Sequence, residues 1–248
     1  MRKNILITGA SSGLGEGMAR EFAAMGRNLA LCARRIETLE TLKTELLAAN
    51  PGITVHIRAL DVDNHAQVFE VFRAFQQDFG TLDRIIVNAG VAHGAKVGTG
   101  RFTENAKTAQ TNFVSALAQC EAAVEILREQ NAGHLVTVSS LSAMRGLPGS
   151  IAVYAATKSG LAALTEGIRV DMLNKPIKVT TLYPGYILTP LNEEIKNAPF
   201  RVDVTTGCKA MVKAIEREPD EACVPGWPWT PLAWLMKRLP LRVIAKMS

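Results

Sequence analysis

Short apolar runs alternate with longer amphipathic stretches from the start of the chain. Residues 3–8, Lys-Asn-Ile-Leu-Ile-Thr, stop at Gly9 as a buried parallel strand does, and Met18, Phe22 and Met25 follow at helical spacing. A second strand is predicted over 28–33 and a helix over 37–49, closed by Pro51-Gly52. Residues 53–59 alternate as a third strand, ending before Asp61-Val62-Asp63. Val68, Val71, Phe72 and Phe75 then mark a helix over 66–79. Residues 82–87 give a fourth strand, ended by Asn88-Ala89-Gly90. Such β-α alternation predicts an α/β fold, a doubly wound parallel sheet with helices on both faces. Ligands of such sheets lie beyond the carboxyl ends of the strands, where Gly9, Arg34, Asp61 and Asn88 would sit.

The second half continues the pattern. After a glycine-rich loop at 93–100, a helix is predicted over 103–130 with Asn112 near its middle. Ala109, Ala116 and Ala123 line it, for packing on the sheet or on another subunit. A strand over 134–139 leads to Ser140-Leu141-Ser142. The helix after Gly149 carries Tyr154 and Lys158 among small residues, and a strand over 177–183 ends in Pro184-Gly185, where backbone can approach a flat ring closely. Residues 191–201 read as a lid and 204–217 as a helix. About seven strands in one Rossmann-type domain over 1–224 are expected, followed by an extension over 225–248. The extension holds all three tryptophans, Trp227, Trp229 and Trp234. Thr230 reads as an N-cap and Pro231 as a first helical residue, before Leu232, Leu235, Met236 and Leu239 at helical spacing. Two readings stay open: a helix that packs on the body or covers a cleft, and, with Lys237 and Arg238, a helix lying on a membrane surface.

Composition narrows this picture. At 248 residues and 48% apolar composition the chain can bury one large core. Its net charge of +5 owes much to Lys237, Arg238, Arg242 and Lys246, so no general nucleic-acid footprint is expected. Cys32, Cys120, Cys208 and Cys223 are far apart, and neither they nor His56, His65, His93 and His134 have metal-ligand spacing. No signal peptide or membrane-spanning run is evident, which predicts a cytoplasmic protein with the tail as a potential membrane contact.

The candidate chemistry lies in three places. Gly9, Gly13 and Gly15, between a strand and a helix, would form an anion site for a pyrophosphate, with Gly9 for the turn, Gly13 for close approach and Gly15 for packing. Arg34 and Arg35, where an acid would select NAD(H), favour NADP(H), unless they are simply solvated. Tyr154 and Lys158, four apart on a helix, pair a phenol with an ammonium. Lys158 is expected to lower the phenol by about three pH units, roughly 4 kcal/mol, toward working pH. Taken alone, the pair also fits a surface ion-dipole contact.

In this order and at these separations, Thr8-Gly-x-x-x-Gly-x-Gly15, Asn88-Ala-Gly90, Ser140, Tyr154-x-x-x-Lys158 and Pro184-Gly185 resemble the short-chain dehydrogenase/reductase family. The resemblance covers residues 3–224. It implies Tyr154 as the acid/base for a carbonyl oxygen, and Lys158 as its activator and a ribose ligand. Ser140 would orient the carbonyl, and Asn112 would position a relay water. Ser11, Ser12, Leu14, Val62, Ala89, Ile187 and Thr189 would join the cofactor contacts, with Asp61 at adenine, Asn88 at the sheet edge and Thr189 at the carboxamide. Ser140 lies fourteen residues before Tyr154 and Ser142 twelve, against thirteen in the family, so Ser142 stays an alternative. The implied activity is hydride transfer between NADP(H), in preference to NAD(H), and an apolar ketone, aldehyde or alcohol, in a homodimer or homotetramer. The alternative is a regulatory or scaffold protein that binds the cofactor on the same fold.

Overall fold

The computed structural model describes residues 1–191 and 198–245. Residues 192–197 of the predicted lid lie outside the described residues, as does Lys246. Seven parallel strands form one sheet: β1 (Asn4–Thr8), β2 (Asn28–Ala33), β3 (Val55–Ala59), β4 (Arg84–Val87), β5 (Gly133–Val138), β6 (Ile177–Pro184) and β7 (Glu221–Val224), in the order β3-β2-β1-β4-β5-β6-β7. Apolar residues occupy both faces of the central strands. Ile5, Leu6 and Ile7 of β1 are all fully buried, in register with Leu29 to Leu31 on one side and Arg84 to Ile86 on the other.

Two helical layers account for that burial. Helices α1 (Gly13–Ala24), α2 (Ile36–Ala49) and α7 (Val204–Glu216) cover one face through Met18, Phe22, Leu39, Met211 and Ile215. Helices α3 (His65–Phe79), α5 (Ser115–Gln130) and α6 (Ala152–Asp171) cover the other through Phe72, Phe75, Ile126, Leu127 and Leu161. Ala116 and Ala123 are buried in this second layer and pack on the sheet, while Ala109 is partly exposed.

Three elements differ from the sequence reading. The predicted helix over 103–130 is α4 (Phe102–Ala109), a π-helical turn at Gln110–Val114, and then α5. The π turn presents Asn112 to a loop opposite. Its amide Oδ1 accepts from the Val91 N–H and its Nδ2 donates to the Val91 carbonyl, both at 2.8 Å. The tail helix α8 (Gly226–Met236) starts earlier than predicted, with Pro225 at its cap and an extended backbone at Trp227. Pro228 therefore opens its regular part, and Thr230 and Pro231 fall within the first turn rather than before it. A last short helix, α9 (Leu241–Ile244), follows.

The sheet's amino end carries a buried ionic network. Arg84, 1% exposed, pairs with Glu216, with Glu218 at 3.3 Å, and donates to His134 Nδ1 at 2.9 Å. Arg27 reaches the other Glu216 oxygen at 2.8 Å. Burial pushes the His134 pKa down to about 3, so the ring is neutral. With Nδ1 accepting, Nε2 carries the proton and donates to Thr180 Oγ1 at 2.9 Å.

Candidate active site

The strand order reverses between β1 and β4, and beyond the carboxyl ends of these strands a cleft of about 520 Å³ opens. One wall is the loop from β1 to α1. Gly9 and Gly13 have φ of +66° and +58°, a region that side chains rarely adopt, which lets the backbone turn back over the strand end. A Cβ at Gly15 would meet Asn88 Nδ2 at 2.8 Å, so its lack of a side chain lets α1 dock on the β4 end. Asn88 also donates from Nδ2 to the Thr8 carbonyl at 2.9 Å, and the N–H groups of Asn88 and Ala89 donate to Thr8 Oγ1 at 3.0 and 3.1 Å.

Ser11, Ser12, Gly13 and Leu14 line the cleft, and Ser12 makes no side-chain capping bond to α1. The helix therefore offers an uncapped N-terminus suited to a phosphate anion. At the same end, Arg35 donates from Nη2 to Ser11 Oγ at 3.1 Å and to the Ser11 carbonyl at 3.2 Å, which ties β2 to the loop. Arg34 is exposed on the cleft wall and makes no ion pair or hydrogen bond with the described residues. Asp61 and Val62 line the adjoining wall. These features fit a dinucleotide: a glycine turn under an uncapped helix, a free cation beside it, and a carboxylate farther along the edge.

The other end of the cleft brings together Ser140, Tyr154 and Lys158, with Asn88, Ala89, Gly90, Pro184, Ile187 and Thr189 around it. Burial raises the Tyr154 pKa, and the nearby Ser140 hydroxyl acts in the opposite direction. Lys158 lies over the Tyr154 ring. Its Nζ lies 5.9 Å from the Tyr154 ring centre and donates to the Val138 carbonyl at 2.9 Å. Burial brings the Lys158 pKa near working pH, down to about 8. Ser140 Oγ accepts from the Ser142 N–H at 3.1 Å at the start of a 3₁₀ turn, and Ser142 does not line the cleft.

Three expected contacts fall elsewhere. Gly15 and Asn112 do not line the cleft; Asn112 is buried and holds Val91 in its wall. Gly185 does lie against a flat ring, but the ring belongs to the protein. A Cβ there would run into the indole of Trp229, which also packs edge-on to Tyr186 and Phe200. Gly185→Ala should thus destabilise the fold by about 1–3 kcal/mol through overpacking, read as a lower urea midpoint. An unchanged midpoint would show that the indole can shift without cost.

The sequence reading overlooked Asp63, Thr111, Ser139 and His93. Asp63 accepts from Thr111 Oγ1 at 2.9 Å and from Ser115 Oγ at 2.7 Å, so it joins the loop after β3 to the π turn. Ser139 Oγ donates to the Lys158 carbonyl at 2.8 Å and fixes α6 on β5. His93, at the start of the glycine-rich loop, lines the cleft. Asp63 lies two residues from Asp61 at the predicted ligand edge, and that position was the available signal for it.

Comparison with known proteins agrees with this geometry. The family model described as short chain dehydrogenase matches residues 3–199. An uncharacterised oxidoreductase of Mycobacterium tuberculosis (strain H37Rv) is 47% identical over 247 residues, covering 100% of this chain and 98% of the relative. Levodione reductase of Leifsonia aquatica is 32% identical over 219 residues, with 88% and 80% of the two chains covered. A crystal structure of levodione reductase superposes with a TM-score of 0.74 at 31% identity, covering 78% of this chain and 75% of that one. A short-chain dehydrogenase/reductase from Burkholderia phymatum in complex with NAD shares the fold, with a TM-score of 0.84 at 22% identity over 99% of this chain and 95% of that one. The scaffold reading therefore gives way to catalysis: the chain belongs to the short-chain dehydrogenase family and is an NAD(P)-dependent dehydrogenase/reductase.

Proposed function

We propose that the protein interconverts an apolar ketone or aldehyde and its alcohol, using NADP(H) in preference to NAD(H). The observation that carries this reading is the single cleft with Arg34 at one end and Ser140, Tyr154 and Lys158 at the other. When bound, the dinucleotide supplies or accepts the hydride. In reduction, the Tyr154 hydroxyl passes its proton to the carbonyl oxygen, and the Ser140 hydroxyl orients that oxygen by a hydrogen bond. A phenol with a raised pKa holds its proton until charge develops on the substrate oxygen. Lys158, held on the Val138 carbonyl, positions the ribose and offers positive charge beside the phenol. Asn112 acts as a positioning residue by holding Val91.

The unpartnered guanidinium of Arg34 suits a 2′-phosphate, and no acid stands at the end of β2 to select a free 2′-hydroxyl. Arg34→Ala should weaken NADPH binding about 10- to 100-fold, the weight of a hydrogen bond to a charged group, and leave NADH binding nearly unchanged. Titration of both dinucleotides by fluorescence measures this, and tighter binding of NADH than NADPH to the wild type would overturn the preference. A screen of aldehydes, ketones and alcohols with both dinucleotides tests the reaction class. The family likeness also supports a homodimer or homotetramer. Ala156, Ala163, Gly167 and Val170 are exposed on α6 and supply a small-residue face for it, and sedimentation velocity gives the size.

A further inference from the structure

The two closing helices carry an outer face unlike an ordinary solvated surface. α8 buries Trp229 and Ala233 and turns Trp227, Trp234 and Leu235 outward, with Arg238 exposed in the turn that follows; Trp227 is 81% exposed and Trp234 60%. α9 repeats the arrangement, with Ile244 buried and Leu241, Arg242 and Val243 exposed. The Arg238 guanidinium lies 3.9 Å from the Trp234 ring centre, and its Nη1 donates to the Trp234 carbonyl at 3.1 Å. Arg145 Nη1 donates to the carbonyls of Met236, Lys237 and Leu239 at 3.2, 3.3 and 2.7 Å, which pins the joint between the helices to the body. From residue 222 onward the sequence has no acid, while Lys237, Arg238, Arg242 and Lys246 are basic.

We propose that this face docks on an anionic lipid bilayer. Indole and aliphatic groups enter the interfacial layer, and the cations beside them meet lipid phosphates. Charge argues for lipid over a second copy of the chain. A two-fold contact would set Lys237, Arg238 and Arg242 against their own copies, with no acid in either tail to neutralise them. The inner side of α8 packs on Gly185 and Tyr186, so the helix that meets lipid also backs the loop that walls the reactive end of the cleft. Docking places that end beside the membrane, where an apolar carbonyl compound concentrates; only this last step rests on the reaction proposed above.

The test is co-sedimentation of the full-length protein with vesicles of phosphatidylcholine alone or mixed with phosphatidylglycerol. Binding is expected to the anionic vesicles and to fade at high salt. Replacing Lys237, Arg238 and Arg242 by Gln should lower the partition coefficient about a hundredfold, or about fivefold per charge. The Trp227→Ser/Trp234→Ser variant should abolish binding while keeping the wild-type melting profile and dinucleotide affinity, since both side chains lie outside the packed body. Equal sedimentation with and without anionic lipid overturns the proposal. So does lipid-independent self-association that the tryptophan variant removes, because a second copy then covers the face. Vesicle binding is read without substrate, so failure here and failure of the carbonyl reading are separate results.

Discussion

Tyr154→Phe should lower the turnover of a carbonyl substrate about 10²- to 10⁴-fold, the usual worth of a positioned proton donor. Dinucleotide affinity should change far less. The phenylalanine keeps the ring that packs in the cleft and removes the one hydroxyl that Ser140 faces. Steady-state kinetics on any substrate found in the screen measure this, and a variant with full activity would remove Tyr154 from the chemistry. The pH dependence follows from the neighbouring cation. Burial lowers the Lys158 pKa to about 8, so its charge is present below that pH and lost above it. Because kcat/KM reports the free enzyme, its value for reduction should fall as pH rises through about 8. Lys158→Arg keeps the charge and should carry that fall to higher pH.

Glu216→Ala should cost about 3–5 kcal/mol of stability, because it leaves buried cations without their carboxylate. Arg27 and Arg84 have side chains only 5% and 1% exposed, and each meets a different oxygen of Glu216. Glu218→Ala should cost less, since its partner Arg2 is more exposed and Arg84 keeps Glu216. Urea unfolding of the two variants decides the order, and a loss below about 1 kcal/mol at Glu216 would place the network among weak surface pairs. The same curves taken across pH probe His134. Burial holds its folded pKa at about 3, against about 6.5 for a free imidazole, so between these values only the unfolded chain takes the proton. Wild-type stability should therefore decline as pH falls below about 6.5.

The strands β1 to β6 were legible because each is an apolar run, or in β3 an alternating one, with a loop or turn signal at its end. β7 was not. It is a four-residue edge strand that begins with Glu221 and abuts Pro225, so it has little apolar pattern to read. Arg84 was equally opaque, since a charge opening a strand gives no sign that its carboxylate lies 132 residues later. The π turn depends on the bonds between Asn112 and Val91, which local periodicity does not contain. The cleft was legible at its glycine loop, at Arg34 and at Tyr154, where each motif is local. Local motifs do not contain the indole of Trp229 that the tail sets against Gly185, or the bond from the Lys158 ammonium to the Val138 carbonyl.

The seat of Trp229 against Gly185 bears on how such a protein changes its substrates over time. The chemistry rests on elements at the heart of the sheet, where nearly every side chain is constrained by two layers of packing. The backing of the Pro184-Gly185 loop comes from α8, which contributes to neither layer. Replacing or lengthening the tail would reshape one side of the cleft while leaving the sheet and its two helical layers in place. Selectivity can then diverge by exchange of a terminal segment, a route open to recombination and to laboratory grafting.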